Sequence, residues 1–117
     1  MKLEGKAKML RIHFGEDDQW QGKPLYQAIV ERCRTLDIAG ATVYRGIAGY
    51  GASTIIRRSH LLRFSHDAPI LVQIVDTEEN LQRLFPALDE MVSEGLIVTS
   101  DVEVIKYVHE GGKRSQA

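Results

Sequence analysis

The residues best suited to chemistry form one glycine-rich segment near the middle of the chain, residues 46–54 (Gly-Ile-Ala-Gly-Tyr-Gly-Ala-Ser-Thr). Three glycines spaced by three and two residues leave backbone N–H groups open and permit positive φ angles, which is how a backbone cradles phosphate. A plain turn at a strand end is the alternative explanation for the same spacing. The candidate binding residues here are Gly46, Gly49, Tyr50, Gly51, Ala52 and Ser53.

Basic side chains follow the glycines directly. Residues 46–67 form a 22-residue stretch, longer than a compact domain normally leaves without a function or disorder. A cluster of cations beside open amides favours contact with a phosphate group or a partner protein, and a solvated surface is the alternative. The residues expected to make such contacts are Arg57, Arg58, His60 and Arg63.

The composition of the chain limits the kinds of partner that it can bind. With 117 residues, 13.2 kDa and a net charge of −1, the chain has the size of one domain and no overall field that would attract nucleic acid or an anionic membrane. The apolar runs are too short to enter a membrane, and the single cysteine, Cys33, fits a reducing compartment. The sequence predicts a cytoplasmic domain over residues 1–110 and a flexible polar tail over 111–117.

The first half of the chain predicts a strand, a helix and a strand. In residues 7–15, Leu10, Ile12 and Phe14 share one face of a half-buried strand. A polar link leads to Pro24, which suits the first helical position, and apolar residues at helical spacing continue to about Asp37. Residues 41–45 are β-branched and aromatic and predict the second strand.

The second half predicts the same elements in the order strand, helix, strand. Residues 70–75 read as a central strand that is apolar on both faces. Asp76 is the expected N-cap, with Glu79 completing a capping box. The following helix is expected to bend at Pro86 and to end by Gly95. Residues 102–108 alternate as the last strand.

The order βαββαβ predicts an α+β, ferredoxin-like sandwich. Its four-stranded antiparallel sheet carries two helices on one face and a long loop after strand two. The other sheet face would carry Met9, Leu71 and Val75 or their alternates, which is too apolar for water. We therefore expect an oligomer.

A strand that enters a long loop through Gly49-Tyr50-Gly51 resembles the PII signal-transduction proteins, in which a Gly-Phe-Gly turn opens the T-loop. More closely, the chain resembles a small bacterial PII-like family of unknown function. The motifs that carry this resemblance are Gly15-Glu16-Asp17-Asp18, Pro24-Leu25, Gly40-Ala41-Thr42-Val43-Tyr44-Arg45-Gly46, Gly49-Tyr50-Gly51-Ala52-Ser53 and Asp76-Thr77-Glu78.

The resemblance implies a homotrimer that binds an adenine nucleotide in clefts between subunits and signals through residues 46–67 to a partner protein. Lys106 falls where PII proteins place a phosphate-binding arginine, but Val108 stands in place of the companion arginine. The glycine-rich turn with its lysine is replaced by the uncharged residues 95–99. AMP or ADP is therefore expected ahead of ATP. Relatives encoded near membrane channels assigned to fluoride export suggest a channel or transporter as partner.

Two other functions stay open. Copper-tolerance trimers share the fold, and a metal role would use His60, His66 or the pair Asp17 and Asp18; without ligand spacing inside one element, no metal site is predicted. A small enzyme could use Arg57 or Arg58 as an anion clamp. No catalytic residue is predicted, because the chain has no nucleophile elbow, paired-carboxylate or metal-protease motif.

Overall fold

A computed structural model describes residues 3–49 and 68–109. The predicted order of major elements is confirmed, and the polar link before the first helix contains a two-stranded ribbon. The elements are β1 (Gly5–Gly15), β2 (Gln19–Trp20), β3 (Lys23–Pro24), α1 (Leu25–Thr35), β4 (Thr42–Arg45), β5 (Pro69–Asp76), α2 (Glu78–Met91) and β6 (Leu96–Val104).

The main sheet has the strand order β4-β5-β1-β6, and every neighbouring pair is antiparallel. On β1, Leu10 lies opposite Ile74 of β5 and Thr99 of β6. Of the strands described, β4 and β6 form the two edges. This order gives the ferredoxin-like fold that the sequence predicts.

Both helices cover one face of this sheet because the strands alternate. Positions 10, 12 and 14 of β1 and the even-numbered positions of β5 are buried, and the apolar stripes of the two helices pack against them. Each fully buried aliphatic side chain contributes roughly 1.5–3 kcal/mol. The cluster includes Leu10, Ile12, Phe14, Ile70, Val72 and Ile74 from the strands and Leu25, Ala28, Ile29, Cys33, Leu81, Leu84, Leu88 and Met91 from the helices.

Helix α1 ends in a left-handed residue, as the predicted stop near Asp37 implies. Asp37 has φ 62° and its N–H donates to the Arg34 carbonyl, while the Ile38 N–H donates to the Cys33 carbonyl. These two bonds form a Schellman motif, with aspartate in the position that usually holds glycine. Pro24 occupies the N-cap, one position before the first helical residue where it was expected.

The predicted cap of α2 is wrong by one residue. Thr77 is the N-cap, and its side chain accepts a hydrogen bond from the Asn80 N–H at 3.2 Å. Glu79 is therefore only two residues from the cap and cannot complete a capping box. Asp76 is instead the buried last residue of β5, and its oxygens accept hydrogen bonds from Ala39 in the link before β4 and from Thr77 and Asn80 at the start of α2.

Helix α2 runs unbroken from Glu78 to Met91 with Pro86 inside it. The predicted bend at Pro86 stays a prediction. The helix ends before Gly95, which has a separate role: its φ is 151°, and a Cβ there would lie 2.3 Å from the His13 carbonyl oxygen. A glycine is required where this turn passes β1.

The predicted last strand is misplaced. β6 spans Leu96–Val104 instead of residues 102–108, because the chain pairs with β1 as soon as it leaves Gly95. The polar residues 99–101 resemble a turn in sequence, yet on an edge strand they simply face solvent. As a result Lys106, expected on the strand, lies beyond its end.

Candidate functional site at the loop neck

The candidate site is the point where the chain leaves β4 and returns to β5. Arg45 lies opposite Ile70 in the last pair of these strands, and the next residue, Gly46, donates its N–H to the Pro69 carbonyl at 2.7 Å. The chain between Gly46 and Ala68 thus departs and returns at one place. We call Glu16, Arg45, Gly46, Ala68 and Pro69 the loop neck.

Glu16 joins three segments at the loop neck. It follows β1 directly, and its N–H donates to the Ala68 carbonyl at 2.8 Å. Its Oε1 accepts bonds from Arg45 Nε at 3.0 Å and from the Ala68 N–H at 3.4 Å. The end of β1, the end of β4 and the start of β5 are therefore linked through one carboxylate.

The Glu16–Arg45 ion pair is accessible to a solute. The Arg45 side chain is 49% exposed and the Glu16 side chain 26%. Ion pairs this exposed contribute about 0–1 kcal/mol, because water competes for both charges. The pair therefore holds the neck weakly.

Two of the predicted glycines serve the neck in different ways. A Cβ on Gly46 would lie 2.9 Å from Pro69 Cγ, so this position needs glycine for close approach. Gly49 has φ 151°, which L side chains rarely adopt. The Gly46 N–H is bonded to Pro69, so the expectation that it stands open to a ligand is wrong. Tyr50, Gly51, Ala52, Ser53, Arg57, Arg58, His60 and Arg63 lie outside the described residues.

Lys106 is not brought to the loop neck within one chain. Val104 pairs with Gly5, whereas the neck adjoins Gly15 at the other end of β1. Ten residues of strand separate these ends, which corresponds to about 33 Å. A site that used both Lys106 and the neck would need two chains.

A hollow of about 310 Å³ lies away from the neck, and its lining residues are Lys6, Ala7, Lys8, Glu78, Asp101 and Val102. Lys8 and Asp101 are hydrogen-bonded as an ion pair. Their bond raises the pKa of Lys8 and lowers the pKa of Asp101. Lys8 is therefore already paired with a carboxylate, as Arg45 is at the loop neck.

Asp18, one of the two aspartates proposed for a metal role, stabilises the turn after β1. Asp18 Oδ2 accepts from the Gly15 N–H at 3.4 Å, and its carbonyl accepts from Leu25 at 2.8 Å. Within residues 3–49 and 68–109 no group of three or more His, Cys, Asp or Glu side chains is placed to hold a metal ion. His60 and His66 lie outside the described residues.

Cys33 is not an activated nucleophile. Burial, with a smaller effect from the Asp76 charge, raises the pKa of Cys33 to about 11. The thiol therefore stays protonated at neutral pH and behaves as a small core residue.

Apolar side chains remain exposed on both sides of the β6 edge. Leu96 is 54% exposed and Val98 37%, while Ile97 and Phe85 line an open groove of about 600 Å³ between β6 and α2. Tyr44 on the opposite edge strand is also exposed. No helix in the described ranges is both long enough and apolar enough to cross a bilayer.

The sequence matches the DUF190 family, described as "Uncharacterized ACR", over residues 7–104. The chain belongs to this family. A UPF0166 protein of Aquifex aeolicus is 42% identical over 102 residues, which cover 86% of this chain and 94% of that protein. A UPF0166 protein of Methanocaldococcus jannaschii is 38% identical over the same share of each chain. The expected membership in a PII-like family of unknown function is thereby confirmed.

Solved structures confirm the PII-like fold. CPII of Thiomonas intermedia, bound to ADP, AMP and acetate, superposes with a TM-score of 0.63 at 17% identity, covering 91% of this chain and 94% of CPII. A Thermus thermophilus protein assigned to PII-like signaling gives a TM-score of 0.59 at 19% identity, covering 90% and 94%. At these identities the likeness concerns the fold.

Sequence reasoning missed the loop-neck roles of Glu16 and Arg45. Both lie in quoted motifs, but neither was assigned to the site because their meeting depends on how β1, β4 and β5 pair. The antiparallel β1–β5 pairing places Gly15 opposite Pro69, so the next residue, Glu16, faces Ala68. The pairing register of these strands was the missing signal.

Proposed function

We propose that this DUF190 protein is a PII-like regulatory protein that binds a small anionic effector, an adenine nucleotide, and signals through residues 46–67 to a partner protein. The predicted partner is a membrane channel or transporter. The protein itself performs no catalysis in this proposal. Ordering of a loop by anion contacts would change the surface that the partner meets.

The observation that carries the proposal is the loop neck on a PII-like sheet. A long segment leaves and returns at one point, beside Gly46, Gly49 and the cation Arg45. A neighbour with the same fold, CPII, was solved with ADP and AMP. We propose that the predicted residues Tyr50, Gly51, Ala52 and Ser53 complete the nucleotide contacts, with Arg57, Arg58, His60 and Arg63 facing the phosphate or the partner.

A homotrimer is part of this proposal. The exposed apolar residues at the β6 edge would be buried between subunits, which removes the cost of leaving them in water. A cleft between two chains could also combine the neck of one with Lys106 of the other, since one chain holds them at opposite ends of the sheet. Sedimentation should then give about three times the chain mass of 13.2 kDa.

AMP and ADP fit the small number of cationic residues at the proposed site better than ATP does. Each additional phosphate needs additional cationic or N–H partners. Val108 supplies no charge where PII proteins have a second arginine, and residues 95–99 are uncharged. We therefore expect affinity to fall from ADP or AMP to ATP.

Titration calorimetry with AMP, ADP, ATP and cyclic nucleotides tests the proposal, together with thermal unfolding at the same concentrations. A ligand at 100 times its Kd stabilises the folded state by about 2.7 kcal/mol. Gly49→Val should weaken binding, because valine cannot easily adopt φ 151°. Gly40→Ala is the matched control, since nothing lies within 4 Å of its Cβ. Absence of heat and of stabilisation with every nucleotide would contradict the proposal.

A further inference from the structure

We infer that Arg45 is an anion-binding residue of the loop neck and that Glu16 is its internal competitor, which an incoming phosphate displaces. This inference rests on the proposed function and adds to it the residue that links binding to the loop.

Arg45 already holds an oxyanion in this structure. Its Nε lies 3.0 Å from a carboxylate oxygen of Glu16. A guanidinium presents its N–H groups as a planar fork, which suits phosphate oxygens as well as carboxylate oxygens. A phosphate group with a larger charge can therefore replace the Glu16 carboxylate at the same donor.

The position of Arg45 favours this role over an ordinary surface ion pair. Arg45 directly precedes Gly46, whose N–H is bonded to Pro69 and cannot bind a ligand. The exposed guanidinium of Arg45 can supply an anion contact in its place. About half of the Arg45 side chain is exposed, so a solute reaches it without disturbing the core.

Displacement of Glu16 would change the hydrogen bonding at the start of β5. The oxygen that bonds Arg45 also accepts the Ala68 N–H at 3.4 Å. When Glu16 turns away, Ala68 loses this bond and keeps the one from the Glu16 N–H to its carbonyl. Anion binding thus breaks one of the two hydrogen bonds between Glu16 and Ala68, at the point where the loop returns to the sheet.

A double-mutant cycle with wild type, Glu16→Gln, Arg45→Gln and the double variant tests the competition. Affinities for ADP and for inorganic pyrophosphate are measured by calorimetry. Arg45→Gln should weaken binding at least about tenfold, the usual cost of losing a charged hydrogen bond. Glu16→Gln should tighten binding about two- to fivefold, because the competing Glu16–Arg45 ion pair is exposed and worth little. The double variant should bind like Arg45→Gln.

Two further variants keep the cycle interpretable. Arg45→Lys retains the charge without the fork, and its affinity should fall between those of wild type and Arg45→Gln. Glu31→Gln removes the carboxylate of another exposed ion pair, between Glu31 of α1 and Lys23 just before that helix. This variant should leave the affinity unchanged. Amide exchange of Ala68 should speed up when ADP or pyrophosphate binds the wild type.

Each possible result supports or contradicts the Arg45 inference, the nucleotide proposal or both. Equal binding by wild type and Arg45→Gln would overturn the inference and leave the proposed function standing. Pyrophosphate binding in the expected order without nucleotide binding would support the inference and contradict the nucleotide proposal. Tightening by Glu16→Gln in the Arg45→Gln background would show general repulsion and overturn the competition. No binding by any protein would overturn both.

Discussion

Two carboxylates in this chain perform the same task in opposite surroundings. Asp76 accepts bonds from the Ala39 N–H at 2.8 Å, the Thr77 N–H at 2.7 Å and Asn80 Nδ2 at 3.1 Å, and it is only 2% exposed. Glu16 also joins distant segments through backbone and side-chain donors, but its partner Arg45 is half exposed. The buried junction is fixed, and the exposed one can exchange its partner.

Burial makes the difference because it changes what happens when a bond is lost. At Asp76, which is buried, bulk water cannot readily replace a missing partner, so a broken bond leaves an unsatisfied group. At the exposed Glu16–Arg45 pair, water or a solute anion can replace the lost partner with little loss of free energy. A regulatory contact is therefore expected at the loop neck, with the Asp76 junction as the frame that holds the sheet while the neck changes.

The largest effect should follow from Asp76→Asn. The Asp76 carboxylate offers two acceptor oxygens to its donors, whereas the asparagine amide offers only one. About 2–4 kcal/mol of the free energy of unfolding should therefore be lost. Urea unfolding measures this loss. Asp101→Asn is the control, since Asp101 is 85% exposed and should cost less than about 1 kcal/mol. Equal losses in the two variants would contradict the contrast between buried and exposed carboxylates.

The next effect is a pH dependence near the same buried junction. The folded-state pKa of Cys33 is about 11 against 9.0 for an ordinary thiol. Because the unfolded thiol loses its proton first, this stabilisation is complete below pH 9 and disappears as pH rises through 11, a loss of about 2 kcal/mol at pH 11. Urea unfolding of wild type and Cys33→Ala at pH 8 and 11 isolates it. A pH-independent difference between them would contradict the burial argument.

Gly46→Ala should have an intermediate effect at the neck. Its Cβ would lie 2.9 Å from the Pro69 ring, so the ring or the turn must move, at a cost of about 1–2 kcal/mol. Gly40→Ala has open space around it and should be neutral or slightly stabilising. Unfolding midpoints in urea compare the two. A Gly46→Ala protein as stable as Gly40→Ala would mean that the neck is looser than its contacts indicate.

Glu16→Gln should have the smallest effect on stability, less than about 1 kcal/mol, because the broken pair is exposed. Hydrogen exchange should nevertheless quicken at Ala68, whose N–H shares the Glu16 oxygen. A loss as large as that expected for Asp76→Asn would place Glu16 among the fixed contacts and remove the comparison.

The sequence predicts the packed strands and helices better than the loop neck, for physical reasons. Period-two burial in β1 and β5 and the helical stripe of α2 arise from one packed face, so residue spacing alone reveals them. The last strand was misplaced because an edge strand tolerates polar residues such as Ser100. The Glu16–Arg45 contact depends on pairing between strands far apart in sequence, which no local pattern contains.

The most direct measurement is a crystal structure of the full chain grown with ADP. We expect phosphate oxygens within hydrogen-bonding distance of Arg45, beside Gly49, with the Glu16 carboxylate turned away from its present 3.0 Å contact. Nucleotide bound elsewhere, with the Glu16–Arg45 and Glu16–Ala68 bonds intact, would contradict this expectation.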